Sequence, residues 1–551
     1  LTAAISLVLV STVHAGGNSA TITQVNTSAD PLRGETAIIT QTGSHGSITV
    51  HQEGEGDRVD ILQSGNANIV HSSEQKGSNN TATVEQADGD HQATFFQLGV
   101  DNTASIQQAG LNAQRNLAFI RQTGNELEGV INQEGSTEAA ADLFMAADHS
   151  TATIIQTDSQ NALATITQND GSNDQAKITQ ISTDNSSATI NQGWGSNNLQ
   201  GIRQEALYSG RGNNNQASIT IIGSDNSNFD KKPFVVFPVR QDTIIQKGSD
   251  HTADITVTGN GNKVRTIQVG EANTSLMDVT GDNNHALIDQ TTSGRNNTAR
   301  LSIVGNENTG NIDQGFEERR GSSNNRATLD ILGNANEARA IQLAGSNMAT
   351  ITINGDSNSV LGTQDTNRDR TIAPSNINSI AINGNQNNTQ FFQHGTDNTT
   401  SMTIDGDNNG GLTSQVAKGT TATIHIQGNQ NTFRMTQFSR LGYDDTNSSS
   451  EISQIGNNNT ATIEQGIFDL ADPLASEEIA SIFQEGNDNT ARIEQESKEN
   501  SANISQQGNF NLATIIQNGA GNIANIDQSN NVQSALVVQN GLGNNAQVIQ
   551  Q

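Results

Sequence analysis

The chain of 551 residues carries 57 acidic against 27 basic side chains, a formal charge of −30, with 32% hydrophobic and 3% aromatic residues and no cysteine. So little apolar material in so long a chain excludes an ordinary thick core. The missing cysteine excludes disulfide scaffolds, Cys-ligated zinc and iron–sulfur clusters, and an acid excess with no basic face argues against nucleic acid or an anionic membrane as partner.

In chain order, the first element is an apolar run, Leu1 to Val10, followed by Ser11-Thr12-Val13-His14-Ala15. Residues 1–15 are expected to be a partial signal peptide, an apolar region and a small-residue cleavage site without the basic start, which implies export. Roughly ten apolar residues are too few for a membrane span, and no other stretch is apolar enough for one. Residues 16–36 read as an N-terminal segment and 37–551 as one long repeat array.

Early copies of the repeat are Asn80-x-Ala82-x-Val84-x-Gln86 and Asn102-x-Ala104-x-Ile106-x-Gln108. Later copies are Asn459-x-Ala461-x-Ile463-x-Gln465, Asn489-x-Ala491-x-Ile493-x-Gln495, Asn500-x-Ala502-x-Ile504-x-Gln506 and Asn511-x-Ala513-x-Ile515-x-Gln517. Asn522-x-Ala524-x-Ile526-x-Gln528, Gln533-x-Ala535-x-Val537-x-Gln539 and Asn544-x-Ala546-x-Val548-x-Gln550 complete the series, each about eleven residues after the last. Asn, Ala, Ile and Gln fall at every second position, so they project to one buried face of a strand while the varying residues between them stay wet. Gly99, Gly508, Gly519 and Gly541 sit two residues after a glutamine, where glycine supplies positive φ and a following Asn tolerates left-handed backbone.

Strand, turn, strand, turn takes about 22 residues. The predicted fold is therefore all-β, a β-solenoid with two strands per rung and two facing parallel sheets, with loop insertions. Between about residues 253 and 430 half of the strands change to Ile255-x-Val257-x-Gly259 or Ile404-x-Gly406 types, while the others keep glutamine, as at Gln268, Gln290 and Gln415. Two strand types thus alternate along the chain. Insertions are expected near 136–150, 224–241, 315–325, 364–378, 438–450 and 466–478. All five prolines, Pro31, Pro233, Pro238, Pro374 and Pro473, fall outside the repeat strands, as they must where each strand donates to a ladder.

Stacked rungs put each inward Gln or Asn over its copy. The amides then bond along the column and escape the cost of lone burial. The expected ladder residues are Gln97, Asn102, Gln108, Asn459, Gln465, Asn489, Gln495, Asn500, Gln506, Asn511, Gln517, Asn522, Gln528, Gln539, Asn544 and Gln550. Of these, Gln517, Asn522, Gln528, Asn544 and Gln550 are expected to serve contacts between chains. No polar cap follows Gln550, so an open strand edge is expected there.

The strings Gln517-x-Gly519-x-x-Asn522-x-Ala524-x-x-x-Gln528, Gln539-x-Gly541-x-x-Asn544-x-Ala546-x-x-x-Gln550 and Gln97-x-Gly99-x-x-Asn102-x-Ala104-x-x-x-Gln108 resemble the curlin repeat of bacterial curli subunits, the functional amyloids of biofilm matrix. The family pattern opens with Ser six residues before the first Gln, where this chain has Asn511. The resemblance implies a secreted fimbrial subunit that forms a homopolymer outside the cell. It also implies a curli-type nucleator and an outer-membrane secretion apparatus as partners, and a role in biofilm and cell adhesion.

Candidate chemistry is sparse. The histidines are His14, His45, His51, His71, His91, His149, His251, His285, His394 and His425; none forms a zinc motif, so they read as solvated or turn residues. Asp405-x-Asp407-x-Asn409-Gly410 resembles the start of a calcium loop but has Val416 where the closing Glu belongs. The carboxylate pairs Asp444-Asp445 and Glu477-Glu478 read as solvated, and Gly259-x-Gly261 as a turn. Residues 231–240 form the one basic, apolar patch, a loop folded on the array or a docking segment. No catalytic residue, metal or cofactor is expected. Against a self-assembling fibre subunit stand two alternatives. A non-polymerising adhesive or ice-binding solenoid needs a flat outward array of one residue type, and a carbohydrate-active solenoid enzyme needs an aligned carboxylate cluster. Neither feature is visible.

Overall fold

The computed structural model describes residues 16–27, 33–110, 115–206, 212–228, 243–315, 323–343, 345–365, 375–439, 447–467 and 477–551. The leader expected over 1–15, all five prolines, the 231–240 patch and the central residues of the insertions near 224–241, 315–325, 364–378, 438–450 and 466–478 lie outside the described residues. No helix occurs among the described residues.

The chain forms two compact units, Leu1–Asp282 and Asn283–Gln551. Each is a β-solenoid of two parallel sheets, as the eleven-residue alternation predicts. In the first unit one sheet runs from Ser19–Asn26 and Ser47–Glu55 to Thr252–Thr258 and Thr274–Thr280. The other runs from Thr36–Gln41 and Arg58–Gln63 to Ile244–Ser249 and Lys263–Glu271. In the second unit the first-sheet strands run from Thr298–Val304 to Asn545–Gln550, and the second-sheet strands from His285–Arg295 to Ser534–Asn540. Successive strands of a sheet pair in parallel, for example Thr36↔Arg58 to Gln41↔Gln63.

Register partners stand 22 residues apart where nothing intervenes, as Thr399↔Thr421, and 30 apart across the insertion near 466–478, as Ser449↔Ile479. The extra residues leave the ladder intact because pairing resumes at the next inward Ala. Inward positions are buried and the alternate ones wet, the pattern eBiBiBi in Leu512–Asn518. Each buried Ile, such as Ile515, contributes on the order of 1.5–3 kcal/mol. The seam tolerates bulk only where the paired rung yields space. Phe391 is buried against Gly362, its register partner, and Phe433 against Gly411.

Two boundaries differ from the sequence reading. The stretch near 136–150 is not an insertion. Ala140–Asp148 is a strand in register with Leu117–Asn125 and Leu163–Ser172, with Ala141, Leu143 and Met145 inward. Ala139 and Met145 occupy the places of the usual Asn and Gln, so the amide signal is missing while the burial alternation persists. The strand array also starts earlier than residue 37: Ser19–Asn26 pairs along its whole length with Ser47–Glu55.

Between residues 253 and 430 the two strand types sort by sheet. The glutamine-free strands all lie in the first sheet and the glutamine strands in the second. Val257 and Val279 stack in the first unit, and Ile303, Ile331, Ile353, Ile382, Ile404 and Ile426 stack in the second.

Candidate functional site

The feature that sets this solenoid apart is its set of buried amide columns. In the second sheet of the first unit, glutamines stack from Gln41 to Gln268; Gln86 donates to Gln108 and Gln108 to Gln133, both at 2.8 Å. In the second unit a column of the same kind runs from Gln290 to Gln539, with Gln465 donating to Gln495 (2.8 Å), Gln495 to Gln517 (2.9 Å) and Gln517 to Gln539 (2.8 Å). The first sheet holds shorter columns. Gln97 accepts from Gln75 and donates to Gln122; Gln506 donates to Gln528 at 2.9 Å and Gln528 to Gln550 at 2.7 Å.

Two properties follow from the geometry. Every one of these bonds runs from Nε2 of the earlier rung to Oε1 of the later one, so the column is a polar chain of aligned dipoles. The second amide proton crosses the seam to a backbone carbonyl that starts the facing strand: Gln517 Nε2 to Ser501 O (3.1 Å), Gln97 Nε2 to Thr81 O (3.0 Å), Gln550 Nε2 to Ser534 O (3.0 Å). A glutamine is long enough to do both, which satisfies a buried carboxamide and ties the sheets together. Where the column is interrupted an acceptor is left bare. Gln168, which follows Met145, and Gln454, which follows Ile426, each bury an Oε1 with no partner.

The asparagines share the buried face but form a different ladder. Asn102 donates Nδ2–H to Gly124 O (2.8 Å), while its Oδ1 accepts the Leu127 amide (3.0 Å). Asn459 bonds Gly486 O, Asn489 bonds Gly508 O and Asn522 bonds Gly541 O in the same way. The amides of Asn489, Asn511, Asn522 and Asn544 donate to Oδ1 of Asn459, Asn489, Asn500 and Asn522. Asparagine thus closes the turn onto the next rung. It does not adopt the left-handed backbone expected of it; the residue before it does, as Asp101 (φ 57°) before Asn102. Gly99, Gly508, Gly519 and Gly541 all have positive φ, between 100° and 135°. At Gly99 a Cβ would also overlap the Gly124 carbonyl, whereas Gly541 has room. Asn544 is exposed and Gln550 half-buried; the other amides expected in the ladder are buried.

Sequence reasoning missed the ionisable members of the asparagine columns. His91 and His251, read as solvated, are buried, and burial lowers both pKa values. His251 Nδ1 accepts the Asn273 amide and its other ring nitrogen bonds Lys247 O. Glu478, read as a solvated partner of Glu477, is buried, which raises its pKa well above the usual value. Asp57 and Asp174 are buried with raised pKa values, and Glu35, desolvated beside Asp57, is raised to about 7. The signal was available: each stands two residues before an inward Ala or Val, in the asparagine place.

Asp405 and Asp407 accept bonds from Asn383 and Asn385 one rung earlier and so belong to the turn columns. Asp444-Asp445 lies outside the described residues. Among the described residues no group of three or more metal-ligating side chains converges, and no helix is long and apolar enough to cross a membrane.

Fold and seam together define a repeat-built parallel β-solenoid closed by amide ladders. The family model described as Curlin associated repeat matches residues 259–291 and 498–529, so the chain carries curlin-associated repeats in both stretches. The second match covers Asn500, Gln506, Asn511, Gln517, Asn522 and Gln528. The first covers Gln268 and Gln290, where the facing sheet has exchanged amides for aliphatic side chains. A comparison with curated proteins finds no match.

Proposed function

We propose that this protein is a secreted structural subunit that self-assembles into curli-like amyloid fibres of a biofilm matrix, used in cell adhesion. The observation that carries the reading is the Gln517–Gln539 type of contact: a parallel, in-register amide bond repeated rung after rung with one direction. Because every bond in a column runs in one direction, each rung offers the next the donor that an identical rung accepts, whichever chain supplies it. Gln517, Asn522 and Gln528 already have partners within the chain. This reading assigns contacts between chains to amides of the same kind, Gln539, Asn544 and Gln550 among them. The matched curlin repeat supports it. Export through a leader, a nucleator and a secretion apparatus complete the proposal by family analogy.

The test is assembly of the purified protein. The expected result is concentration-dependent growth of dye-binding fibres whose diffraction shows spacings of about 4.8 and 10 Å. Replacing Gln539 and Gln550 by Ala should slow that growth. A protein that stays monomeric at every concentration and ionic strength would refute the reading.

A further inference from the structure

The asparagine columns contain a second chemistry. In an ordinary rung Asn102 accepts through Oδ1 from the next rung and donates through Nδ2 to the Gly124 carbonyl. Asp57 and Asp174 keep the first half of this pattern. Asp57 Oδ1 accepts the Asn80 amide at 2.8 Å, and Asp174 Oδ1 the Asn198 amide at 2.9 Å. Each also accepts the Nδ2–H of that same asparagine at 3.1 Å. The other oxygen, Oδ2, is buried in both and has no partner. In Asp174 it lies beside Gly171, as Nδ2 of Asn102 lies beside Gly99. The turn carbonyls that correspond to Gly124 O are Gly77 O for Asp57 and Gly195 O for Asp174.

An ionised carboxylate in this place buries an anion and sets a bare oxygen toward a carbonyl oxygen. The surroundings offer no compensation. Glu35, buried one rung earlier and bonded to the Gly54 backbone, faces Asp57 and adds a second acid. Arg58, next in the chain, is turned outward to Asp60. Around Asp174 stand Ser150, whose hydroxyl accepts its amide, and Asn198. Among the described residues no cation is paired with either aspartate. A carboxylic acid, by contrast, has the shape of asparagine and restores the missing donor.

We propose that Asp57 and Asp174 are neutral carboxylic acids in the folded solenoid, each donating its O–H to the turn carbonyl of the next rung, so that a proton is the ligand that completes these two rungs. The raised pKa values of both, caused by burial, agree with this. Because the folded pKa lies above the unfolded one, the stabilisation is complete below the ordinary aspartate range and is lost as pH rises through the folded value. The solenoid would therefore be tightened by mild acid at defined rungs. The inference concerns the single folded chain and holds whatever that chain assembles into.

The experiment compares the full chain with D57N, D174N and the double variant, by infrared spectroscopy at about pH 5, where ordinary aspartates are ionised, and by thermal unfolding at about pH 5 and 8. The wild type should show protonated-carboxyl absorption that the double variant has lost in part. The double variant should melt at least about 2 °C above wild type at the higher pH, and by a smaller margin at the lower, because the margin narrows as pH falls toward the ordinary aspartate range. Unchanged carboxyl absorption, or a double variant that melts below wild type at the higher pH, would overturn the proposal. So would a double variant that fails to fold, since an amide would then not serve where the acid does.

Discussion

Gln517 donates Nε2–H to Oε1 of Gln539 at 2.8 Å, and its other amide proton reaches Ser501 O on the facing strand. One side chain therefore stitches rung to rung and sheet to sheet. Replacing it by Ile removes the acceptor of Gln495 and the donor to Gln539 inside a dry seam. The expected loss is about 1–3 kcal/mol, read as a fall in the denaturation midpoint.

The reverse exchange should also cost stability. Ile404 sits among Ile382 and Ile426 in the amide-free stretch of the first sheet. Ile404→Gln would bury a carboxamide with no partner above or below, at a cost of about 1–3 kcal/mol in the same measurement. Equal stability of this variant and wild type would show that the columns are not set by neighbour matching.

Glycine is demanded to different degrees along the turns. Gly99→Ala meets both positive φ and the Gly124 carbonyl, whereas Gly543→Ala meets only positive φ, with nothing within 4 Å. Thermal unfolding should rank the first well below the second, which should lose about 1 kcal/mol.

Val532 is 76% exposed and held at φ 59°, a region that a β-branched residue disfavours. Val532→Asn relieves that strain without touching the seam, and the expected gain is up to about 1 kcal/mol.

His251 should make the fold acid-sensitive. Burial lowers its pKa, against the opposing pull of Asp250 and Glu271, and its Nδ1 is needed as acceptor for the Asn273 amide. A lowered folded pKa means that stability is complete above about 6.5 and is lost as pH falls below it. His251→Asn should remove that loss, seen as a smaller drop in melting temperature between about pH 7 and 5 than wild type shows. This slope is opposite to that of the buried carboxyls, so the two variants together separate the contributions.

Much of this was legible in the residues. The two-residue alternation of Ala513, Ile515 and Gln517 specifies a strand with one dry face, and its eleven-residue return specifies stacked half-rungs, because those periods are properties of the backbone. The strand at Ala140–Asp148 escaped notice because Met145 and Ala139 carry the burial but not the amide. The ionisable column members escaped because residue type alone does not tell a buried His251 from a solvated His149.

The sequence by itself determined that the chain winds into rungs, which residues face inward, and where glycine must turn it, since these depend on local geometry and periodicity. Only the tertiary structure decided what each inward amide bonds to. It showed glutamine joining glutamine and spanning the seam, asparagine closing the turn onto the next rung, and carboxyls left with a bare oxygen in asparagine's place. Those partners come from residues 16 to 42 positions away and are fixed by register and strand separation, which no local pattern encodes.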